Sequence, residues 1–391
     1  MKTMCSTNMP YALEAFRTLG EARVVEGRSI SAADVKEADL LAIRSTTRVD
    51  RQLLEGSRVR FVGTATIGID HMDTDYLESA GIRWCHAPGC NANSVSEYVA
   101  AALLRLANRH GFALRGKTIG VVGVGNVGRR IVEKARVLGM NVLPNDPPRQ
   151  RAEGEGDFAS LEAVLARADI VTLHVPLTAE GPDRTFHMAD EAFFARMKPG
   201  ALFFNCARGG TTDTGALLAA LERGTVRHAV IDTWEGEPDF STDLLARCDI
   251  GTPHIAGHSF EGRVTGTVMV YQAACRFLGV PPSWTPDALL PPPAIPEIVL
   301  DAGGLTEERA LWDLVHRVYD IEADDRRMRE SAVADAAARR RNFDLLRKNY
   351  PMRREFRYTR VALKNASTEL AGRIAGLGFR VDLVSIPAGP T

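Results

Sequence analysis

Cysteine is scarce in this sequence, and its spacing suggests neither a disulfide framework nor a zinc site. Six cysteines stand among 391 residues, and no two of them form a Cys-x-x-Cys pair. A disulfide-stapled extracellular scaffold and a cysteine-rich structural metal site are therefore both disfavoured. We interpret the six thiols as reduced and mostly buried, we expect no bound metal, and we predict a cytoplasmic protein.

Long apolar runs and an excess of one charge are also missing. No stretch reaches the roughly 18 apolar residues that a membrane-spanning helix needs, and the first ten residues, MKTMCSTNMP, lack the apolar core of a signal peptide. Lys and Arg number 48 against 49 Asp and Glu, for a formal charge of -1. The chain as a whole thus has no field suited to nucleic acid or an anionic membrane, and we expect neither as a partner.

The sequence is long and apolar enough for two or three domains, since 45% of its residues are hydrophobic. From about 20 to 115, β-type stretches at 38–44, 59–64 and 82–86 alternate with helical ones, which is typical of a parallel sheet covered on both faces. Within this region the run Ser94-Val95-Ser96-Glu97 predicts a capping box at the start of a helix that ends near Gly111.

A strongly periodic βαβ series follows Lys117, and it predicts an α/β domain of the Rossmann type with a doubly wound parallel sheet. The segment VPPSWTPDALLPPPAIP holds seven prolines and marks a boundary near 280. Beyond it the chain is basic: twelve Arg or Lys stand against four Asp or Glu between Arg326 and Arg360. A solvated helical face, an interface rim, or a site for a phosphate or an acidic partner are the open interpretations.

The segment Gly123-Val124-Gly125-Asn126-Val127-Gly128 has the spacing G-x-G-x-x-G between a predicted strand and a predicted helix. Glycine at these positions permits a tight turn, the close approach of a pyrophosphate, and tight packing of helix on strand. The pyrophosphate would then meet the free amides at the start of the helix.

Asp146 closes the next strand, 18 residues after Gly128. A carboxylate there accepts hydrogen bonds from both ribose hydroxyls and repels a 2′-phosphate, which favours NAD over NADP. Arg149 could offset that repulsion, so mixed cofactor use stays open at this point.

Three polar residues follow successive predicted strands: Arg208 after ALFFNC, Glu237 after HAVIDT and His254 after DIGTP. The carboxyl ends of parallel strands line one crevice, so we expect these side chains to converge. A guanidinium binds a carboxylate bidentately, and a neutral imidazole oriented by a carboxylate accepts a hydroxyl proton. Together they predict an oxidoreductase that removes a hydride from a 2-hydroxy acid.

With these residues in view, the sequence resembles the D-isomer-specific 2-hydroxyacid dehydrogenases. The resemblance is carried by NMPYA at 8, FVGTATIGIDH at 61, APGCNANSVSEYV at 87, GVVGVGNVGRR at 120, NDPPR at 145, DTWEGEP at 232 and DIGTPHIAG at 249. It extends to LRKNYPMRRE at 346, which generic members of the family lack.

The resemblance implies that Arg208, Glu237 and His254 are the active-site residues, with His254 as the proton donor or acceptor. It implies NAD contacts at Gly123, Gly125, Asn126, Val127, Gly128, Asp146, Val175, Cys206, Ala207, Arg208, Asp232 and Gly257. It implies substrate contacts at Ser45, Thr66 and His258.

The resemblance also implies three domains. They are a discontinuous flavodoxin-like substrate domain at 1–95 with a return segment at 256–280, an NAD-binding Rossmann domain at 96–255, and a smaller C-terminal α+β domain at 281–391 that forms a homodimer. The implied reaction is NAD-dependent oxidation of 4-phospho-D-erythronate to the 2-oxo acid, in pyridoxal phosphate biosynthesis.

Other functions on the same fold stay open at this point. The chain could reduce glyoxylate, hydroxypyruvate or another 2-oxo acid, oxidise phosphoglycerate, or sense NAD without catalysis as a corepressor-like protein. A further hypothesis, based on charge alone, is that Arg353 and Arg354 approach the substrate phosphate across a dimer.

Overall fold

The structure is a computed structural model that describes residues 1–154 and 156–383. Its strands are β1 (Lys2–Ser6), β2 (Glu21–Val25), β3 (Leu40–Ile43), β4 (Phe61–Thr64), β5 (Arg83–Cys85), β6 (Thr118–Val122), β7 (Asn141–Asn145), β8 (Ile170–Leu173), β9 (Ala201–Asn205), β10 (Val226–Ile231), β11 (Ile250–Gly251), β12 (Glu297–Asp301), β13 (Arg360–Lys364) and β14 (Arg380–Leu383).

Its α-helices are α1 (Ala12–Arg17), α2 (Ala32–Val35), α3 (Arg51–Leu54), α4 (Thr74–Ser79), α5 (Ala92–His110), α6 (Asn126–Val137), α7 (Pro147–Glu153), α8 (Leu161–Arg167), α9 (Glu191–Arg196), α10 (Thr214–Arg223), α11 (Thr242–Arg247), α12 (Phe260–Leu278), α13 (Glu307–Val318), α14 (Ile321–Ser331), α15 (Ala336–Lys348) and α16 (Thr368–Leu377). No helix within the described ranges is both long and apolar enough to cross a bilayer.

The chain divides into two compact units, and the first comprises Met1–Ala92 and His258–Pro292. Its five-stranded parallel sheet has the order β2-β1-β3-β4-β5. Strands β3 and β4 are buried along their whole length, as expected for apolar strands covered on both faces. Gly63 allows α12 to pack closely on β4, because a Cβ there would lie 2.3 Å from Val270 Cγ1.

The second unit comprises Asn93–Gly257 together with the chain from Pro293 onward. Its main sheet is six-stranded and parallel, in the order β11-β10-β9-β8-β6-β7. Consecutive strands run outward from β6 in both directions, so the strand order reverses between β6 and β8, and ligands bind at such a switch point. The predicted doubly wound sheet is confirmed.

The C-terminal part of the second unit has a three-stranded parallel sheet of its own, in the order β12-β13-β14. Helix α16 joins this part to the NAD-binding region: Gly376 lies so close to α6 that a Cβ would meet Val137 Cγ2 at 2.6 Å. Lys134 of α6 donates to the Leu377 carbonyl oxygen at 2.7 Å. The smaller C-terminal α+β architecture is thus present, packed as part of the second unit.

The capping box predicted at Ser94 and Glu97 is wrong. Helix α5 begins two residues earlier, at Ala92. Ser94 Oγ donates to Glu355 Oε1 at 3.2 Å, and Glu97 Oε1 accepts from the Phe356 amide at 3.1 Å. These side chains bind the C-terminal segment instead of capping their own helix.

Both side chains of the hypothesised phosphate contact across a dimer, Arg353 and Arg354, are buried within their own chain, and that contact stays a prediction. Arg353 donates to the carbonyl oxygens of Ser94 at 3.3 Å and Ala256 at 2.6 Å. Its guanidinium also lies 4.4 Å from the centre of the Tyr319 ring. Part of the basic character of this segment is therefore structural.

Candidate active site

The turn between β6 and α6 is shaped by three glycines with different surroundings. Gly123 has a φ of +85°, and a Cβ there would lie 2.7 Å from the His174 carbonyl carbon and 2.8 Å from the Val175 amide. At Gly128 a Cβ would lie 2.0 Å from the Gly123 carbonyl oxygen. At Gly125 a Cβ would meet no atom within 4 Å, so this face of the turn is open.

Helix α6 starts at this open face without a side-chain cap. Its N-cap is Gly125, which has no side chain that could accept from the first amides of the helix. Free amides at a helix N-terminus bind anions. Arg129, which sequence analysis missed, stands at the same turn and donates to Asn126 Oδ1 at 2.9 Å. The turn therefore fits the pyrophosphate of a dinucleotide.

Asp146 follows β7 and supports the same turn. Its Oδ2 accepts from the Val124 amide at 2.8 Å and its Oδ1 accepts from the Arg149 amide at 3.1 Å. Each oxygen keeps a second lone pair for a ribose hydroxyl.

Arg149 is already paired. It binds both oxygens of Glu153 at 2.7 Å and donates to the Val124 carbonyl oxygen at 2.6 Å. Its charge is thus compensated within α7, which leaves the negative charge of Asp146 to discriminate against a 2′-phosphate.

The loops that follow β9, β10 and β11 carry the three predicted catalytic residues, and these strands are neighbours in the sheet. The loop of Arg208 is packed directly against the loop of Glu237, since a Cβ at Gly209 would lie 1.9 Å from the Trp234 carbonyl oxygen. Nδ1 of His254 and Oε1 of Glu237 are 2.5 Å apart. The structure thus brings His254 and Glu237 into contact and places Arg208 on the adjoining loop.

Glu237 is held as an anion beside the imidazole. Its Oε2 accepts from the Trp234 amide at 3.1 Å. Burial raises the pKa of Glu237, but the nearby His254 and Arg347 and the hydrogen bonds lower it to a net value of about 2. Because Nδ1 of His254 is occupied, Nε2 is the atom that can exchange a proton with a substrate.

His254 itself has a φ of +56°, in the left-handed region that residues other than glycine rarely adopt. Its amide donates to the carbonyl oxygens of Asp232 at 2.7 Å and Thr252 at 3.0 Å. The Asp232 carboxylate accepts from the amides of Ile255 at 2.8 Å and Ala256 at 3.0 Å. The loop is thus fixed on both sides of the histidine.

Asp232 is buried, and its carboxylate is bonded to the loop that carries His254. Burial raises the pKa of Asp232, and the charge of nearby His254 opposes that shift. Its Oδ1 also accepts from Thr252 Oγ1 at 2.6 Å, and Tyr98 OH lies 2.7 Å from the same hydroxyl. Sequence analysis missed Tyr98 and Thr252, because Tyr98 lies on α5, 154 positions before Thr252. The contact of Asp232 with NAD stays a prediction.

The backbone around Arg208 is similarly fixed. Asn205 Nδ2 and Thr211 Oγ1 donate to the Arg208 carbonyl oxygen at 3.1 and 2.7 Å. The Ala207 amide donates to Asn205 Oδ1 at 3.0 Å. Cys206 and Ala207 therefore present a rigid backbone directly after β9, and Val175 does so after β8 beside Gly123. Their NAD contacts, and that of Gly257, stay predictions.

The predicted substrate residues Ser45, Thr66 and His258 all belong to the first unit. Ser45 follows β3 and is exposed. The Thr66 hydroxyl donates to the Gly68 carbonyl oxygen at 2.7 Å and lies 2.8 Å from Thr64 Oγ1. His258 is the first residue of the return segment. Their substrate contacts stay predictions.

Comparison with known proteins identifies related families and structures. Residues 92–256 match the family of the D-isomer specific 2-hydroxyacid dehydrogenase, NAD binding domain, and residues 289–378 match a domain of unknown function, DUF3410. A D-lactate dehydrogenase from Aquifex aeolicus, solved with NAD and lactic acid, is 26% identical and has a TM-score of 0.59, covering 71% of this chain and 95% of its own. The TT0316 protein from Thermus thermophilus is 28% identical, with a TM-score of 0.61 over 72% of this chain and 99% of its own.

The chain is thus a D-isomer-specific 2-hydroxyacid dehydrogenase that uses NAD. Erythronate-4-phosphate dehydrogenase of Cronobacter sakazakii is 49% identical over 91% of this chain and 92% of its own, and that of Klebsiella pneumoniae is 47% identical over 97% and 98%. The chain belongs to the erythronate-4-phosphate dehydrogenase family.

Proposed function

We propose that this chain oxidises 4-phospho-D-erythronate to 3-hydroxy-2-oxo-4-phosphooxybutanoate with NAD, as a step of pyridoxal 5′-phosphate biosynthesis. The relatives that carry this activity in their names match nearly the whole chain, including its C-terminal part. The observation that carries the proposal is the contact of His254 with Glu237 at the carboxyl edge of the sheet, beside an open glycine turn.

Arg208, His254 and Glu237 of the second unit each have a separate role in the reaction. Bound NAD supplies the acceptor for the hydride that leaves C2. The Arg208 guanidinium binds the substrate carboxylate, which fixes the orientation of C2. Nε2 of His254 accepts the C2 hydroxyl proton, and the Glu237 carboxylate on Nδ1 stabilises the imidazolium that forms. In the reductive direction the same imidazolium returns the proton.

The glycine turn and the amides of α6 would hold the pyrophosphate, and Asp146 would hold the adenosine ribose. An NAD sensor without catalysis would not need a histidine held in a left-handed conformation against a carboxylate. The His254–Glu237 pair therefore favours an enzyme over a corepressor-like sensor.

The proposal is tested by following NADH formation with purified protein, NAD and a panel of 2-hydroxy acids with and without a terminal phosphate. We expect the highest kcat/KM with 4-phospho-D-erythronate. A higher kcat/KM with glycerate, lactate or 3-phosphoglycerate would assign the chain to another dehydrogenase of the same class. No turnover of any 2-hydroxy acid would contradict the chemistry itself.

We propose in addition that the chain forms a homodimer through its C-terminal part. Several exposed large apolar side chains lie there: Val299, Leu305, Val333, Leu345, Met352 and Leu383. Exposed apolar groups that cluster in one part of a chain are typical of an association surface.

The dimer is tested by the molar mass of the protein in solution. We expect the double variant Leu345→Glu with Met352→Glu to be monomeric where the wild type is dimeric, because two charges would enter the interface. Val24→Glu, at an exposed valine of the first unit, is the matched control and should stay dimeric. A monomeric wild type would contradict the proposal.

We also propose a cytoplasmic location. All six cysteines are free thiols, and four of them are buried. Free thiols are the rule in reducing compartments.

A further inference from the structure

Arg263, in the first turn of α12, has a half-buried side chain with few hydrogen-bond partners. Its Nε is inaccessible to solvent and has no hydrogen-bond partner. Nη2 makes a long bond of 3.4 Å to the Asn8 carbonyl oxygen. Among the residues that the structure describes, no carboxylate forms an ion pair with it, Glu261 of the same turn included. Burial lowers the pKa of Arg263.

The surroundings of Arg263 within the first unit are rich in hydrogen-bonding groups. Asn8, which accepts its one hydrogen bond, donates from Nδ2 to Thr46 Oγ1 at 2.9 Å and accepts from Ser6 Oγ at 2.8 Å. Thr47 is buried and donates to the Gly27 carbonyl oxygen at 2.8 Å, which anchors the loop. Asn8 therefore links the guanidinium to the loop 44–46.

This loop lies where ligands bind in open α/β sheets. Asn8 follows β1 and the loop 44–46 follows β3, and these strands are neighbours in the sheet. The carboxyl ends of adjacent parallel strands are the usual ligand-binding edge. Ser45 is exposed on the anchored loop, so its hydroxyl and the backbone around it are presented in a fixed place.

We propose that Arg263 binds the phosphate group of the substrate, together with the hydroxyl and amide groups of the loop 44–46. The inference rests on the proposed function and assigns a residue of the first unit to the substrate phosphate. A planar guanidinium matches the geometry of a phosphate, and a partly buried cation without a counter-ion gains free energy when a dianion binds. Arg263 thus recognises the phosphate end of the substrate.

A phosphate-binding role for Arg263 also predicts how its removal changes the stability of the protein. A residue that serves only the fold should destabilise the protein when it is removed. A partly buried cation without a counter-ion should not, because its desolvation opposes folding in the absence of the anion. We therefore expect Arg263→Gln to melt at the same temperature as the wild type or higher, when neither protein has phosphate present.

The experiment compares Arg263→Gln and Arg263→Lys with the wild type. Arg276→Gln is the matched control, because Arg276 lies on the same helix but lines a separate cavity beside Trp84 and Cys85. We measure kcat/KM with 4-phospho-D-erythronate and with unphosphorylated D-erythronate, the KM for NAD, and the shift in melting temperature caused by inorganic phosphate.

For Arg263→Gln we expect kcat/KM with the phosphorylated substrate to fall on the order of 100-fold. With D-erythronate, kcat/KM should stay unchanged, as should the KM for NAD. Arg263→Lys should keep part of the preference for phosphate, and Arg276→Gln all of it. Inorganic phosphate should stabilise the wild type and the control but not Arg263→Gln.

An equal loss with both substrates, an unfolded Arg263→Gln protein, or an unchanged preference for the phosphorylated acid would each overturn the assignment of Arg263. Failure of the proposed function is a separate result, because it appears as a wild type that does not oxidise 4-phospho-D-erythronate. In that case the stabilisation by inorganic phosphate still decides whether Arg263 binds a phosphate.

Discussion

At the scale of single residues, His254 shows how the site fixes a reactive side chain. Its left-handed backbone costs free energy of order 1–3 kcal/mol. The buried Asp232 offsets that cost by binding the loop through its carbonyl oxygen and both carboxylate oxygens. The imidazole therefore has a fixed direction before any substrate binds, which is what proton transfer at a defined atom needs.

We predict that Glu237→Gln lowers kcat/KM roughly 10- to 100-fold while the KM for NAD stays unchanged, because the imidazolium loses its counter-ion. Steady-state kinetics with 4-phospho-D-erythronate measures both constants. Glu235→Gln is the matched control, since that carboxylate binds His187 and the Thr214 amide. A Glu237→Gln enzyme with wild-type kcat/KM would contradict the role of the carboxylate.

The same pair predicts a pH dependence of stability. The folded-state pKa of Glu237, about 2, lies below its ordinary value of 4.5. The stabilising contribution of this carboxylate is therefore complete above pH about 4.5 and is lost as the pH falls towards 2. Urea unfolding of the wild type and Glu237→Gln should show a difference in free energy at neutral pH that shrinks over this range. A difference that grows on acidification would contradict the linkage.

Residue types at strand ends were enough to predict that the three proposed catalytic residues share one edge of the sheet, but the residues that support them were not predictable. Arg208, Glu237 and His254 each follow a strand in the sequence, so their common edge can be inferred. The hydrogen bond of Thr252 to Asp232 and the contact of Tyr98 with that threonine depend on how α5 packs, and no local pattern encodes that.

At the scale of elements, the turn from β6 to α6 contains glycines that are needed for two different reasons. A Cβ at Gly128 would meet backbone, and at Gly125 it would meet open space. One glycine is thus required by the fold and the other by a ligand that approaches the backbone closely.

We predict that Gly125→Ala keeps the melting temperature of the wild type and raises the KM for NAD about tenfold, since one lost phosphate contact is worth roughly that factor. Gly128→Ala should lower the melting temperature instead, because the Gly123 carbonyl oxygen cannot give way without breaking the turn. Thermal unfolding and NAD titration of both variants measure the contrast. Equal behaviour of the two variants would contradict this division.

This turn was predictable because its signals are local: strand, glycines and helix follow one another in the sequence. The start of α5 was not. Ser94 and Glu97 have the spacing of a capping box, yet their partners Glu355 and Phe356 lie about 260 positions later. A side chain that can cap a helix can equally bind a distant segment, and only the tertiary fold decides between the two.

At the scale of the whole molecule, the contact of the C-terminal part with α5 and α6 is a buried polar network. Burial and the nearby Glu355 raise the pKa of Glu97 to about 8, against the opposing charges of Lys134 and Arg353. Burial lowers the pKa of Lys134. Glu97 is therefore favoured in its protonated form at neutral pH.

This network predicts that stability falls with rising pH. The folded-state pKa of Glu97 lies above its ordinary value of 4.5, so its contribution is complete below pH about 4.5 and is lost as the pH rises through 8. In Glu97→Gln the free energy of unfolding should decline less between pH about 5 and about 9. Glu133→Gln, at an exposed residue of α6, should follow the wild type. Parallel curves for Glu97→Gln and the wild type would contradict the prediction.

Through Arg353, the loop that carries His254 depends on the C-terminal part of the chain. Arg353 donates to the carbonyl oxygen of Ala256, two positions after His254. The C-terminal part of the second unit therefore fixes the backbone next to this histidine. If a protease cleaved the chain after Pro292 and the C-terminal part dissociated, the hydrogen bond of Arg353 to Ala256 would be lost. Glu97 and Lys134 would then be exposed to water. We expect the cleaved protein to have no dehydrogenase activity.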